Sequence, residues 1–136
     1  ALDCAVSAEL LKNLFWNKAP LHDGAVIVRN GRIVGAGCML PLSGNVNLSR
    51  DLGMRHRAGI GMSEQSDAVV VIVSEETGSI SAAVGGLLKR HLAPETLERL
   101  LRNELAVQED DMEKKNPSLL SSVSSLLSGL SRKEDT

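Results

Sequence analysis

Residues 24–40, GAVIVRNGRIVGAGCML, decide how the chain folds. The first six residues of this stretch are rich in β-branched side chains, which predicts a strand, and Asn30-Gly31 is a dipeptide that two-residue hairpin turns prefer. Residues 33–40 predict the returning strand, which ends at Pro41 because proline cannot donate a hydrogen bond to a sheet. The stretch therefore predicts a β-hairpin.

A helix is predicted before this hairpin, and a charged segment follows it. Ser7 is a predicted N-cap, and residues 10–15 place apolar side chains at helical spacing, so this helix should end before Pro20. After the hairpin, residues 43–47 form a polar loop. Residues 48–64 mix charged residues with glycines, which favours short helical turns over one long helix.

The chain is predicted to continue with further strands and a helix. Residues 68–73 form a continuous β-branched run, which is typical of a strand that is covered on both faces. Residues 79–84 and 87–92, separated by a Gly-Gly turn, predict a neighbouring strand and an edge strand. Pro94 occupies the first position of a helix whose leucines recur at helical spacing. Together these elements predict an α/β domain with a mixed central β-sheet flanked by helices.

The composition argues against several classes of protein. The net charge of −2 gives no basic field for nucleic acid or an anionic membrane, and the only aromatic residues are Phe15 and Trp16. Cys4 and Cys38 lie far apart in sequence, which fits a reducing cytosol better than a disulfide scaffold or a zinc site. No stretch reaches the roughly 20 apolar residues of a membrane span, and no signal peptide opens the chain. The chain as given is expected to be soluble and cytoplasmic.

A change in composition near residue 107 divides the chain, whose 136 residues fit one domain. Residues 1–106 are predicted to form the folded domain. Residues 107–136 are predicted to form a tail that is first charged and then rich in Ser and Leu. Serine is a poor helix former, which favours a flexible tail or one that a partner orders; the alternative is a helix docked on a neighbour.

Three short motifs carry side chains that could do chemistry, and the first is HDGA at residues 22–25. Asp23 supplies a hard oxygen ligand for Mg²⁺ or Mn²⁺, and His22 suits Mn²⁺ or Co²⁺. Gly24 removes a side chain, so that a ligand can approach the backbone. The alternative is a simple Asp-Gly turn beside a surface histidine.

The second motif is Arg55-His56-Arg57. In an extended segment, or at the opening of a helix, both guanidiniums could hold one polyphosphate through bidentate hydrogen bonds. On a helix, side chains two residues apart point about 200° away from each other. The alternative is a solvated basic face.

The third motif, SEETG at residues 74–78, directly follows the predicted strand 68–73. Strand ends are where α/β sheets place their ligands. Adjacent carboxylates on an extended backbone point to opposite sides, so we expect Glu76 rather than Glu75 to face a site; the alternative is an acidic hairpin. The three motifs together favour phosphoryl or nucleotidyl transfer, without a Walker A or GxGxxG phosphate cradle.

Four runs of the sequence resemble the DAC, or DisA_N, domain of bacterial diadenylate cyclases. They are LHDGAVIV at residues 21–28, LPLS at 40–43, GMRHRAG at 53–59 and VSEETG at 73–78. Their order and separations match the family, and the resemblance extends over residues 2–106. It is greatest to the CdaA type, a membrane-associated cyclic di-AMP synthase whose catalytic domain is anchored to the cytoplasmic face by helices that are not present here.

The resemblance implies an enzyme that condenses two ATP molecules into cyclic di-AMP and two pyrophosphates. It implies that Asp23 assists the ribose 3′-OH and that Leu40 lies by the adenine. The other residues implied in nucleotide binding are Gly24, Ala25, Met54, Arg55, Arg57, Ser74, Glu75 and Glu76. With Asp23, the residues Arg55, His56 and Arg57 are implied in catalysis. The implied metal ligands are His22, Asp23 and Glu76, for Mn²⁺, Mg²⁺ or Co²⁺.

A face-to-face homodimer is also implied, because each protomer would bind only one of the two reacting ATP molecules. Two departures from the family stand out. Met54 replaces the usual Thr before the RHR motif, and the chain starts where the family already has a strand and a helix, so the amino-terminal part of the sheet is expected to be missing from this chain. Met54 leaves open a non-catalytic module that binds ATP or cyclic di-AMP. A third possibility is an interaction protein that docks through its tail.

Overall fold

The computed structural model of the protein describes residues 2–115, with the side chains of residues 2–106. Within this range the chain divides into two compact units, residues 2–39 with 98–115, and residues 40–97. The elements in chain order are β1 (Cys4–Ala5), α1 (Ala8–Leu14), β2 (Ala25–Arg29), β3 (Arg32–Cys38), α2 (Met54–Gln65), β4 (Val70–Val73), β5 (Ile80–Val84), β6 (Leu87–Lys89) and α3 (Pro94–Lys115). None of the helices in this part of the chain is long and apolar enough to cross a membrane.

The first unit is organised around the predicted hairpin. Strand β3 lies in the centre of a three-stranded antiparallel sheet, with β1 on one side and β2 on the other. Asn30 and Gly31 have φ angles of 53° and 73°, the left-handed values that a tight hairpin turn between twisted strands requires. Ile33 on the central strand is fully buried. The hairpin is confirmed, and it places the HDGA motif at the entrance to β2.

The second unit packs one helix against a second three-stranded sheet. The strand order is β4-β5-β6, and both pairings are antiparallel. Helix α2 contributes Ile60 to a core that it shares with Ile72 of β4 and Ala83 of β5, and Leu52 completes this cluster. The predicted edge strand is confirmed as β6.

The α/β class is therefore confirmed. Every strand pairing among the described residues is antiparallel, and the strands form two three-stranded sheets where the sequence led us to expect one mixed sheet. The antiparallel pairing has a local cause. Two-residue turns join β2 to β3 and β5 to β6, and such turns reverse the chain direction.

The prediction of short helical turns in residues 48–64 was wrong, because Met54–Gln65 form one helix of 12 residues. The glycines that suggested interruptions are positions of close packing. A Cβ atom on Gly59 would lie 2.7 Å from Cδ1 of Ile72, and one on Gly61 would overlap the carbonyl oxygen of Pro41. The low helix propensity of glycine is offset here by contacts that no larger residue permits.

The prediction that residues 68–73 are covered on both faces was also wrong for the second unit taken by itself. Val71 and Val73 are 42% and 47% exposed, whereas Ile72 between them is 4% exposed. Strand β4 lies at the edge of its sheet, and α2 packs on one face of that sheet. The side chains of β4 therefore alternate between the core and the surface.

The first and last helices begin where the sequence predicted. The Ser7 hydroxyl accepts a hydrogen bond from the Leu10 amide at 3.1 Å, and Pro94 is the first residue of α3. Leu101 is buried on the predicted apolar face of α3. The helix continues through the charged segment to Lys115. The predicted Ser/Leu-rich part of the tail lies outside the described residues.

Candidate functional site

The predicted site residues fall into two groups, one in each unit. The first group, which we call the HDGA turn, comprises His22, Asp23, Gly24 and Ala25. The second, which we call the α2–β4 group, comprises seven residues. They are Met54, Arg55, His56 and Arg57 at the start of α2 and Ser74, Glu75 and Glu76 after β4. Leu40 belongs to the second unit as well.

The backbone of the HDGA turn explains why a glycine follows Asp23. Gly24 has a φ of 109°, and a Cβ atom there would lie 2.7 Å from the carbonyl carbon of Gly37. The sequence suggested that Gly24 makes room for a ligand, whereas the structure shows that the close neighbour is the end of β3. The close contact between Gly24 and Gly37 fixes the shape of the turn. The Asp23 side chain is exposed on this turn.

A contact with a backbone carbonyl orients the ring of His22. Its Nδ1 lies 2.7 Å from the carbonyl oxygen of Ala19, and because a carbonyl only accepts, Nδ1 carries the proton. In this tautomer the lone pair lies on Nε2. Metal-binding histidines in proteins are commonly oriented by this kind of contact to a backbone carbonyl.

The described residues contain no cluster of three or more His, Cys, Asp or Glu side chains that could hold a metal ion. A divalent ion bound near His22 and Asp23 would therefore need further oxygen ligands. Mg²⁺ commonly binds in this way, through one or two carboxylates together with substrate phosphates. The donors of the HDGA turn fit a nucleotide-associated ion better than a permanent metal centre.

Arg55 lies in the first turn of α2 and reaches the end of β4. Its Nη1 donates to the carbonyl oxygen of Val73 at 3.2 Å, and its Nη2 lies 2.6 Å from Oε1 of Glu75. The N-cap of α2 is Gly53, which offers no side-chain acceptor, and the first turn holds no acidic residue. The positive end of the helix dipole therefore adds to the Arg55 charge, an arrangement that favours anions.

Arg57 has different partners from Arg55. Its Nε and Nη2 donate to the carbonyl oxygens of Leu52 and Ser49, each at 3.3 Å. Both arginines lie on a helix, where side chains two residues apart point in nearly opposite directions. The structure therefore does not bring the two guanidiniums onto one ligand. Arg57 instead fastens the turn at residues 49–52 to the start of α2.

His56 is buried in the second unit, with 8% of its surface exposed. Burial lowers its pKa, the nearby positive charge of Arg90 lowers it further, and the Asp51 carboxylate opposes both. A neutral imidazole at neutral pH adds no positive charge for a phosphate. The geometry therefore supports a structural role for His56 within the RHR motif.

The buried neutral form of His56 makes the folded state sensitive to acid. Because the folded pKa lies below the unfolded value of about 6.5, the unfolded state takes up the proton first, and stability should fall as the pH drops below that value. We expect the free energy of unfolding, measured by urea titration, to decrease between pH 7.5 and pH 5.5. In His56→Gln, which cannot take up this proton, the decrease should be smaller. An identical decrease in both proteins would assign the acid sensitivity to other groups.

Hydrogen bonds between residues of the SEETG motif close its turn. The Ser74 carbonyl oxygen accepts from the Gly78 amide at 3.0 Å, and the Ser74 hydroxyl accepts from the Thr77 amide at 3.3 Å. Glu75 and Glu76 are both exposed on this turn. Glu75 forms the ion pair with Arg55, a contact that the sequence did not suggest because the two residues are 20 positions apart.

The remaining predicted residues are positioned by the fold around them. Ala25 is the first residue of β2, where it pairs with Cys38. Leu40 is half-buried. Met54 opens α2 with 67% of its surface exposed. A substitution at Met54 can therefore change the start of α2 without disturbing the core.

The sequence matches the family model described as DisA bacterial checkpoint controller nucleotide-binding, over residues 1–88. It is 50% identical over 103 residues to the cyclic di-AMP synthase CdaA of Bacillus subtilis, covering 76% of this chain and 38% of the relative. It is 44% identical over 120 residues to a diadenylate cyclase of Listeria monocytogenes, covering 88% of this chain and 42% of the relative. The chain thus spans about two fifths of the length of these relatives.

Solved structures give the same similarity in three dimensions. The structure is similar to DacA from Staphylococcus aureus, a double cysteine mutant, with a TM-score of 0.74 and 48% identity over 76% of this chain and 69% of the other. It is also similar to a hypothetical membrane spanning protein from Bacillus cereus, with a TM-score of 0.66 and 47% identity over 68% of this chain and 45% of the other.

Proposed function

We propose a function from the premise that this chain belongs to the DAC domain family. It is the catalytic domain of a diadenylate cyclase, which condenses two ATP molecules into cyclic di-AMP. In this reaction the 3′-OH of each ATP attacks the α-phosphorus of the other, two phosphodiester bonds form, and two pyrophosphates leave. The proton of each hydroxyl must be accepted during the attack.

One observation carries the proposal. The family match over residues 1–88 contains the whole HDGA turn and the whole α2–β4 group. The turn offers an exposed carboxylate, and the α2–β4 group offers an arginine at a helix N-terminus that has no side-chain cap. Carboxylates and positive groups of this kind are what nucleotidyl transfer needs, since catalysis rests on positioning and on stabilising developing charge.

The residues take distinct roles in this proposal. Asp23 accepts the proton of the 3′-OH or orients it, and Gly24 and Ala25 line the nucleotide pocket. Arg55 binds phosphate, and the N-terminus of α2 supports it. His22 and Asp23, together with the substrate phosphates, would hold a divalent ion, Mn²⁺, Mg²⁺ or Co²⁺, which would neutralise charge on the phosphates. Ser74 shapes the turn that carries the two glutamates.

The symmetry of the reaction supports a homodimer as the active species. Each protomer binds one ATP, and the two nucleotides react only when two domains face each other. The similarity to a hypothetical membrane spanning protein from Bacillus cereus supports a location at a membrane, and ATP is available at its cytoplasmic face.

Product formation is the direct test of the proposed function. The purified protein, incubated with ATP and Mn²⁺ or Mg²⁺, is expected to yield cyclic di-AMP and two pyrophosphates for each product molecule, as measured by chromatography and a pyrophosphate assay. Activity per molecule should fall on dilution through the monomer–dimer transition. ATP binding without product would instead support the alternative, a non-catalytic nucleotide-binding module.

Met54 is the residue on which the choice between the cyclase and the non-catalytic module depends. We expect Met54→Thr to raise turnover, because it supplies a hydroxyl beside the positive start of α2 that can bond a phosphate or ribose. One well-placed hydrogen bond contributes about 1 kcal/mol, which corresponds to roughly a fivefold increase. Turnover measured beside Met54→Val, which has no hydroxyl, separates the hydrogen bond from the loss of the Met side chain. Equal rates for the two variants would contradict this role.

The phosphate-binding role of Arg55 predicts a selective loss of affinity. We expect Arg55→Ala to weaken ATP binding by about 1.5 to 3 kcal/mol, the range for charge-assisted hydrogen bonds, while adenosine binding changes far less. Calorimetry with both ligands measures the difference. Arg99→Ala on the exposed surface of α3 serves as the matched control. Equal losses for ATP and adenosine would show that Arg55 acts through the fold.

A further inference from the structure

The guanidinium to which we assign phosphate binding already has an anionic partner in its own unit. Arg55 makes one contact with a backbone carbonyl of β4, at Val73, and one with the carboxylate of Glu75. The carbonyl is fixed in a strand. The carboxylate lies on an exposed turn with 65% of its side-chain surface accessible. Arg55 therefore has one partner that is fixed backbone and one that is an exposed side chain and can be exchanged.

The exchangeable contact involves the nitrogen that a phosphate needs. A guanidinium binds oxyanions bidentately through two parallel N–H groups, either Nε with Nη2 or Nη1 with Nη2. Both arrangements include Nη2, and Nη2 is the atom that lies 2.6 Å from Glu75 Oε1. A phosphate that approaches Arg55 must share Nη2 with Glu75 or displace the carboxylate from it.

The charges on this turn make displacement the more favourable outcome. The Arg55–Glu75 ion pair is formally neutral, and Glu76 beside it adds one negative charge. A triphosphate adds several more negative charges at close range. Repulsion between Glu75 and the phosphates grows with each of them. An exposed ion pair is weak, so the carboxylate can give way.

We propose that Glu75 determines specificity by competing with nucleotide phosphates for Arg55. The inference rests on the proposed function and adds a role that separates Glu75 from its neighbour Glu76. Glu75 lowers the affinity of the site for polyphosphate, and it returns to Arg55 when pyrophosphate leaves. The competition should therefore depend on the charge of the ligand.

The test compares Glu75→Gln with the wild-type protein against ligands of increasing charge. Glutamine keeps the size of the side chain and an acceptor oxygen, but it removes the negative charge. Calorimetry with adenosine, AMP and ATP in one buffer should show ATP binding about 3- to 10-fold tighter to Glu75→Gln, a smaller gain for AMP and none for adenosine. The gain for ATP should shrink at high salt.

Two further variants separate competition from a general change of charge. In an Arg55→Gln background the Glu75→Gln substitution should no longer tighten ATP binding, because no guanidinium remains to compete for. Glu64→Gln makes the same change of charge on exposed α2 surface, nine residues from Arg55 or about 13 Å along the helix. It should leave ATP affinity unchanged.

The possible results have distinct meanings. Weaker or unchanged ATP binding in Glu75→Gln, or an equal gain for adenosine, would overturn the inference. A full gain in the Arg55→Gln background would also overturn it, because Glu75 would then act by simple repulsion. If the wild-type protein binds neither ATP nor adenosine, the proposed function itself fails. If it binds both and Glu75→Gln behaves as wild type, only the role of Glu75 fails.

Discussion

Asp23→Asn is expected to abolish the synthesis of cyclic di-AMP while leaving the fold intact. Asparagine matches aspartate in size, and the side chain is exposed on a turn whose shape Gly24 determines, so stability should not change. The amide carries no negative charge, so it cannot accept the proton of the 3′-OH and is a poor ligand for a divalent ion. A lost general base typically costs about 100-fold or more in rate.

The measurement is product formation at saturating ATP, together with ATP affinity and thermal melting of the same variant. Asp3→Asn is the matched control, because Asp3 is an exposed carboxylate of the first unit whose partner is Arg32. Excess Asp23→Asn should also suppress wild-type activity, since a mixed dimer lacks one of its two attacks. Product formed by Asp23→Asn at a near wild-type rate would refute the assignment of this residue.

Gly61→Ala is expected to have the largest effect on stability. In an exposed helix this change would stabilise the protein by about 1 kcal/mol, because alanine is the better helix former. Here the added methyl group would overlap the carbonyl oxygen of Pro41 and lie 2.7 Å from the Ser43 amide nitrogen. That segment is held on α2 by a hydrogen bond from the Ser43 amide to the Arg57 carbonyl at 3.0 Å. The neighbours are backbone atoms that cannot rotate away, so we expect a loss of about 3 kcal/mol.

Urea unfolding gives this loss as a change in the free energy of unfolding. Gly44→Ala is the matched control, because nothing lies within 4 Å of a Cβ atom at that position. It should change stability by less than about 0.5 kcal/mol. If Gly61→Ala proved as stable as the wild-type protein, the close contact between α2 and the segment after residue 40 would be contradicted.

The sequence by itself determined the elements whose signals are local. The Asn30-Gly31 turn, the Ser7 cap and the Pro94 helix start each depend on side-chain and backbone preferences within a few residues. Family membership could also be predicted, because four motifs occur in the order and at the separations that the DAC domain has. These features would be readable in any chain with the same short segments.

Only the tertiary structure decided how the segment from residue 48 to residue 64 folds. Its glycines weaken a helix in isolation, and the contacts that offset this come from Ile72 and Pro41, which are distant in sequence. The exposure of Val71 and Val73 likewise depends on tertiary structure, because α2 packs on only one face of the sheet. Propensity describes a residue among its neighbours along the chain, whereas close packing depends on residues brought together by folding.

The roles within the RHR motif were decided in the same way. Three adjacent residues with similar chemistry have three different surroundings, because a helix turns each side chain by about 100° from the one before it. Arg55 meets Glu75, His56 enters the core and Arg57 binds the carbonyl oxygens of the turn before α2. The sequence supplied the charges, and the direction of each side chain around α2 determined whether it meets a carboxylate, the protein interior or backbone carbonyls.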